Sequence, residues 1–310
     1  MTTTSTFSQQ PSSQTTDNAR AIIINVDDLG LSSAVNDAVL HLAECGRIGA
    51  SSYMVGGTIR ENEIKALTDL KVDIGLHLDL TGIFPSALRG SLKSIIVASY
   101  LRKLDPTQVN DVINQQLDAF EDRFGQAPVF VDGHQHIHQF PIIRQHLVKE
   151  ISTRYGKSSQ TSISARVTTP LVNDMKSWII YALGGNAWRT LCEDHHIATN
   201  GRFGGVYGFD ATSQELSTLW ETWLQKAPYT AGLSPAIHTS AIDATTHSIP
   251  KDISPTLIMC HPAVANNSWQ DDIKQAREHE YEWLMSDQFE QLLQQYEVRL
   301  MRWSDAIAST

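Results

Sequence analysis

Cysteine is scarce in this chain of 310 residues: there are three, Cys45, Cys192 and Cys260, and no two form a CxxC pair. They cannot all be disulfide-bonded within the chain, which fits reduced, mostly buried thiols in a reducing cytoplasm. Positive charge is also short, with 24 basic against 34 acidic residues and a formal net charge of -10. That balance argues against nucleic acid or an anionic membrane as the main partner. No segment approaches the roughly 18 uninterrupted apolar residues of a membrane span, which predicts a soluble protein without membrane insertion. The first twenty residues, MTTTSTFSQQPSSQTTDNAR, are rich in Ser, Thr and Gln and lack the apolar core of a signal peptide. They read as a disordered tail, 1–20. Beyond them no composition break appears, so 21–310 is expected to form a single domain.

What is present is a repeated pattern of apolar strand and amphipathic helix. Ala21 to Gly30, AIIINVDDLG, is a run of β-branched residues that ends in two adjacent carboxylates, Asp27 and Asp28. Such a run reads as a strand buried on both faces, as in parallel sheets flanked by helices. The acids then sit at its C-terminal end, where ligands collect in α/β folds. Ser32 or Ser33 caps a following helix. Ile48 to Val55 and Val72 to Leu78 read as further strands, with a helix over Glu61 to Leu70 between them. Pro106 to Phe124 and Pro141 to Tyr155 are expected to be helical, as is Ser213 to Gln225, and Asp271 to Tyr296 reads as one long helix. NGRFGGVYGF is a glycine-rich loop whose spacing does not match a phosphate-binding turn. The expected fold is α/β, an irregular (β/α) barrel.

Four apolar strands in this pattern end in a metal-binding or titratable side chain. The first delivers the Asp pair and the third delivers His77. APVFVDGHQHIHQFP releases His134, His136 and His138, and SPTLIMCHPA ends at His261. Amide or ester hydrolysis at neutral pH needs an activated water, which a divalent ion with about three protein ligands and an open position supplies. Asp28, His77 and one of the three tract histidines make such a set. The Asp pair divides into one ligand and one carboxylate able to take a proton from water. His261 is the candidate general acid or oxyanion donor. Its neighbour Cys260 points to the opposite face of the strand and reads as buried and inert. A metal-dependent phosphoesterase would add basic groups for phosphate, and Arg166 is the one basic residue at these strand ends. A non-catalytic sugar-binding protein on the same fold is the other alternative.

NVDDLGLS, GLHLDLTG, VDGHQHIHQFP and MCHPA, with FGGVYG and the Arg277 to Glu280 spacing, resemble the successive motifs of the YdjC-like carbohydrate deacetylases. The resemblance implies an irregular (β/α) barrel, one divalent metal ion, magnesium or zinc, and removal of an acetyl group from an N-acetylated saccharide. It makes Asp27 the general base, and Asp28, His77 and His134 the metal ligands. His261 becomes the acid or oxyanion residue, and Arg166, His136 and His138 become substrate-facing or supporting groups. Leu29, Val26 and Ala263 stand where Phe, Ala and Gly are common in that family; none is a ligand or proton carrier, so the departures bear on pocket shape. Phe84, Phe203, Tyr207 and Trp269 are candidates to stack on sugar rings. A homodimer is left open.

Overall fold

In the computed structural model, residues 18–156, 162–235 and 254–307 are described. Among these residues the strands are β1 (Asn18–Leu29), β2 (Ala50–Tyr53), β3 (Asp73–Leu78), β4 (Phe130–Gly133), β5 (Ser164–Ala165), β6 (Ala198–Thr199), β7 (Arg202–Gly204), β8 (Tyr229–Ala231), β9 (Thr256–Cys260) and β10 (Val298–Leu300). They form one sheet in the order β6-β5-β4-β3-β2-β1-β9-β7, with β10 and β8 both pairing with the start of β1. Every pairing is parallel except that of β1 with β8. A bridge between Pro170 and Phe203 joins the segment after β5 to β7. Two backbone hydrogen bonds, Phe203 N to Thr169 O and Leu171 N to Phe203 O, hold it. The sheet therefore curls back on itself, as the barrel expectation requires.

β1 is the central strand. Ile22, Ile24 and Val26 belong to a core layer shared with the helices, while Ala21 and Ile23 belong to a second cluster with Phe130, Phe203, Leu257 and Met301. Alternation along one strand thus feeds both faces. Each of its three isoleucines is fully buried, and each such side chain contributes about 1.5–3 kcal/mol of burial free energy.

Several boundaries differ from the sequence reading. The expected tail, 1–20, lies outside the described residues up to 17, but Asn18–Leu29 is strand from its first residue. Asn18–Arg20 pair with β8, and Arg20 is tied to the carbonyls of Ala227 and Tyr296. The long helix expected over Asp271 to Tyr296 is two, Lys274–Met285 and Asp287–Gln295. Ser286 is extended and its side chain caps the second by accepting from Phe289 N. Arg202–Gly204, inside the expected glycine-rich loop, is a strand whose Phe203 fills the inner core. The helix Leu92–Tyr100 was not foreseen, whereas Pro106–Phe124 matches its expectation at both ends, with Asp105 as cap and Gly125 left-handed.

Candidate metal centre

The carboxylate pair owes its position to an irregularity in β1. Pairing with β2 shifts register between Val26 and Leu29, and Asp28 takes a left-handed backbone with φ 69°. A bulge of this kind re-aims side chains at the end of a strand. Consecutive carboxylates consequently face different neighbours. Gly30, at φ 93°, turns the chain where a side chain would collide with the Tyr53 ring.

Asp27 is gripped by Arg166, whose Nη1 donates to Oδ2 at 2.7 Å and Nη2 to Oδ1 at 2.5 Å. Asn25 Nδ2 donates to Oδ1 as well, at 2.7 Å. Burial works to raise the Asp27 carboxyl, and the Arg166 guanidinium outweighs it, holding the group below the usual carboxylate range. Arg166 also reaches Asp132 at 2.6 Å. Asp132 in turn accepts from His77 Nδ1 at 2.6 Å, which leaves His77 Nε2 directed at Asp28 Oδ1, 3.3 Å away. Burial opposes protonation of His77, but the Asp132 carboxylate prevails and pushes it up to about 10. His134 Nδ1 lies 3.1 Å from the same Oδ1. The second oxygen of Asp28 accepts from Arg277 Nη2 at 2.6 Å. Burial raises the Asp28 carboxyl, and Arg277 followed by His134 holds it well below the normal range.

The ligand atoms of Asp28, His77 and His134 lie within 4.8 Å of one another. Separations of 3.1 and 3.3 Å are those of neighbouring ligands about 2.0–2.1 Å from one cation. A second group, Asp27, His77 and Asp132, is equally compact. Arg166 lies against both of its carboxylates, so that group meets a further cation with repulsion. The first set fits a divalent ion. It borders a cavity of about 470 Å³.

The residues named from sequence separate cleanly. Asp27, Asp28, His77, His134, His136 and His261 all line the cavity. His261 Nε2 lies 3.8 Å from Asp27 Oδ2, and its ring rests edge-on against Phe209. Of the groups expected to face substrate or to support the site, Arg166 and His138 are fully buried and do not line the cavity. The two terminal nitrogens of Arg166 face Asp27 and Asp132, and His138 Nε2 lies against the Arg166 carbonyl. His136 is held neutral, pushed down to about 3 by burial and then by the Arg166 cation. Burial likewise drives the Cys260 thiol well up, as expected of an inert cysteine. Of the aromatic candidates only Tyr207 borders the cavity, whereas Phe84 and Phe203 are buried.

Three residues to which the sequence reading assigns no role act in the site. Asp132 orients His77, Arg277 holds Asp28, and Glu280 accepts from the His261 backbone N–H and from the Tyr207 hydroxyl. The Arg277 to Glu280 spacing belongs to the family resemblance, but spacing along a helix does not reveal partners as distant in sequence as Asp28 and Tyr207. Basic groups at the site are also more numerous than expected. Arg277 and Lys176 line the cavity and Arg166 does not, so the scarcity of cations is not an argument against phosphate.

A curled parallel sheet whose strand ends converge on one Asp–His–His cluster defines an α/β protein with a candidate mononuclear metal centre. The chain belongs to the YdjC-like protein family, whose sequence profile matches residues 21–295. Two curated relatives are named chitooligosaccharide deacetylase. The one from Citrobacter koseri is 28% identical over 132 residues, 40% of this chain and 52% of the relative. The one from Enterobacter sp. is 29% identical over 145 residues, 44% and 57% of the respective chains. The matches therefore span about half the length of these relatives. Among solved structures, a protein from Enterococcus faecalis V583, named for a proposed role in cellobiose-phosphate cleavage, superposes with a TM-score of 0.63 at 15% identity. That superposition covers 92% of this chain and 98% of the other, and shows the shared fold.

Proposed function

We propose that this protein is a metal-dependent hydrolase that removes the acetyl group from an N-acetylated sugar, of the chitooligosaccharide class that its relatives are named for. The observation that carries the reading is the convergence of Asp28, His77 and His134 beside a second, ion-paired carboxylate and a histidine on the same cavity. Two imidazoles and one carboxylate suit zinc and similar transition ions better than magnesium, which favours oxygen ligands. A cation bound there would acidify water and polarise the acetyl carbonyl.

The chain's own groups then divide the work. Asp132 accepts a hydrogen bond from His77 Nδ1 and so aims Nε2 at the Asp28 side of the centre, where a bound cation would displace the Nε2 proton. Asp27, ionised across the working range, takes the proton of the attacking water; Arg166 fixes its orientation while lowering its basicity, so the transfer depends on a water that a bound cation would acidify. Water oxygen bonds to the acetyl carbon, the C–N bond breaks, and His261 delivers a proton to the departing sugar nitrogen. Acetate and a free amine result.

The test is acetate release from N-acetylglucosamine and diacetylchitobiose by chelator-stripped protein, with zinc, manganese and magnesium restored in turn. Asp28→Ala and His77→Ala are expected to lose both bound metal and turnover. Full metal content and activity in His77→Ala refutes the site.

A further inference from the structure

Arg277 is a buried cation at a junction of three parts of the site. From the helix Lys274–Met285 its Nη2 donates to Asp28 Oδ2 at 2.6 Å, its Nε to Asp271 Oδ2, and its Nη1 to the His261 carbonyl at 3.5 Å. Its own carbonyl accepts from Ala263 N at 3.0 Å. Asp28 belongs to β1, His261 follows β9, and Asp271 stands on the cavity rim. One planar guanidinium therefore links two strand ends and the rim.

We propose that Arg277 is a positioning residue that restricts Asp28 to ligation through a single oxygen and anchors that ligand to the cavity rim. The inference rests on the metal-centre reading above. The two Asp28 oxygens have separate partners. Oδ1 faces His77 Nε2 and His134 Nδ1, while Oδ2 is taken by the guanidinium. A carboxylate so divided cannot chelate a cation with both oxygens, which preserves the open coordination that hydrolysis requires. The same guanidinium places a positive charge next to the ligand, which weakens cation binding while preserving reactivity. A lysine keeps the charge but lacks the fork that spans Asp28 and Asp271 together.

A purely structural arginine and a positioning arginine predict opposite changes in cation affinity. In Arg277→Met, Asp28 is free to close on the ion with both oxygens. The expected result is Zn²⁺ and Mn²⁺ affinity equal to or tighter than wild type, measured by titration calorimetry on stripped protein. Alongside it kcat should fall about 10–100-fold, in the range for groups that orient metal ligands. The KM for diacetylchitobiose should stay within about twofold, because sugar contacts are intact. The metal-free variant melts lower than wild type and regains most of the difference when the ion is added. Arg277→Lys carries the same test should the methionine variant not fold: ion affinity is retained while kcat remains at least about tenfold down. Weakened cation binding in step with lost activity, or full kcat in Arg277→Lys, overturns the inference. Wild-type protein that binds neither ion overturns the deacetylase reading, and this inference with it.

Discussion

Asp27 and Asp28 adjoin in sequence, yet each answers to a different arginine. Both oxygens of Asp27 are held by Arg166, while Asp28 keeps Oδ1 among imidazole nitrogens and yields Oδ2 to Arg277. Asp27→Asn is therefore expected to retain bound zinc while kcat for acetate release falls about 10²–10⁴-fold, the usual contribution of a general base. Asp132→Asn acts one step further out. Without its carboxylate the His77 tautomer is no longer enforced, and zinc affinity, read against a competing chelator dye, should weaken about 10–100-fold. Arg166→Met leaves Asp27 and Asp132 buried without a cation, and urea denaturation of the metal-free protein should show a loss of about 3–5 kcal/mol.

Between strand and helix, the turn His134–Gln139 shows why an alternating HxHxH tract does not behave as a strand would. Three histidines on a strand share one face. Here Gln135 and His136 both take left-handed backbone, φ 53° and 59°. The three rings diverge as a result: His134 towards Asp28, His136 to the cavity beside Phe203, His138 into the core against Trp188. Burial drives His136 down to about 3 and His138 well below its ordinary value. Once unfolded, each titrates near 6.5, so below that pH the unfolded chain binds more protons than the native one. The stability that these two histidines contribute is thus fully present above about pH 6.5 and falls as pH drops towards the native values, a range in which His77 is protonated in both states and adds no slope. The slope reaches about 1.4 kcal/mol per pH unit for each histidine. Urea midpoints between pH 7 and pH 5 should fall accordingly, and less steeply in His136→Gln. At the break before Asp287–Gln295, Ser286→Ala removes a helix cap and should cost about 1 kcal/mol without altering zinc binding.

Across the whole molecule, the centre sits at one end of the sheet and the chain's late elements brace the other. β10 pairs with Arg20–Ile22, at the start of β1, and Met301 N donates to Ile22 O. Trp303 is buried and stacks on Phe130 with ring centroids 5.1 Å apart. Trp303→Ala should destabilise the fold by about 3–5 kcal/mol, as large buried aromatic truncations do. Cation affinity per folded molecule should be unchanged, because the cavity lies at the opposite strand ends. Among the described residues no helix is long and apolar enough to cross a membrane.

The apolar runs of β1, β3, β4 and β9, and the titratable residues that end them, could be read directly, because burial on both faces demands unbroken hydrophobicity and the first polar residue marks where it stops. Their convergence follows from parallel pairing, which sets all the C-terminal ends on one rim. Which charges meet there could not be read. Arg277 reaches Asp28 across 249 positions and Arg166 reaches Asp27 across 139, and no local periodicity encodes contacts so remote. The bulge at Asp28, the split of one expected helix at Ser286 and the burial of Arg166 and His138 likewise arose from packing, where a cation within the core must find its carboxylates wherever the curled sheet brings them.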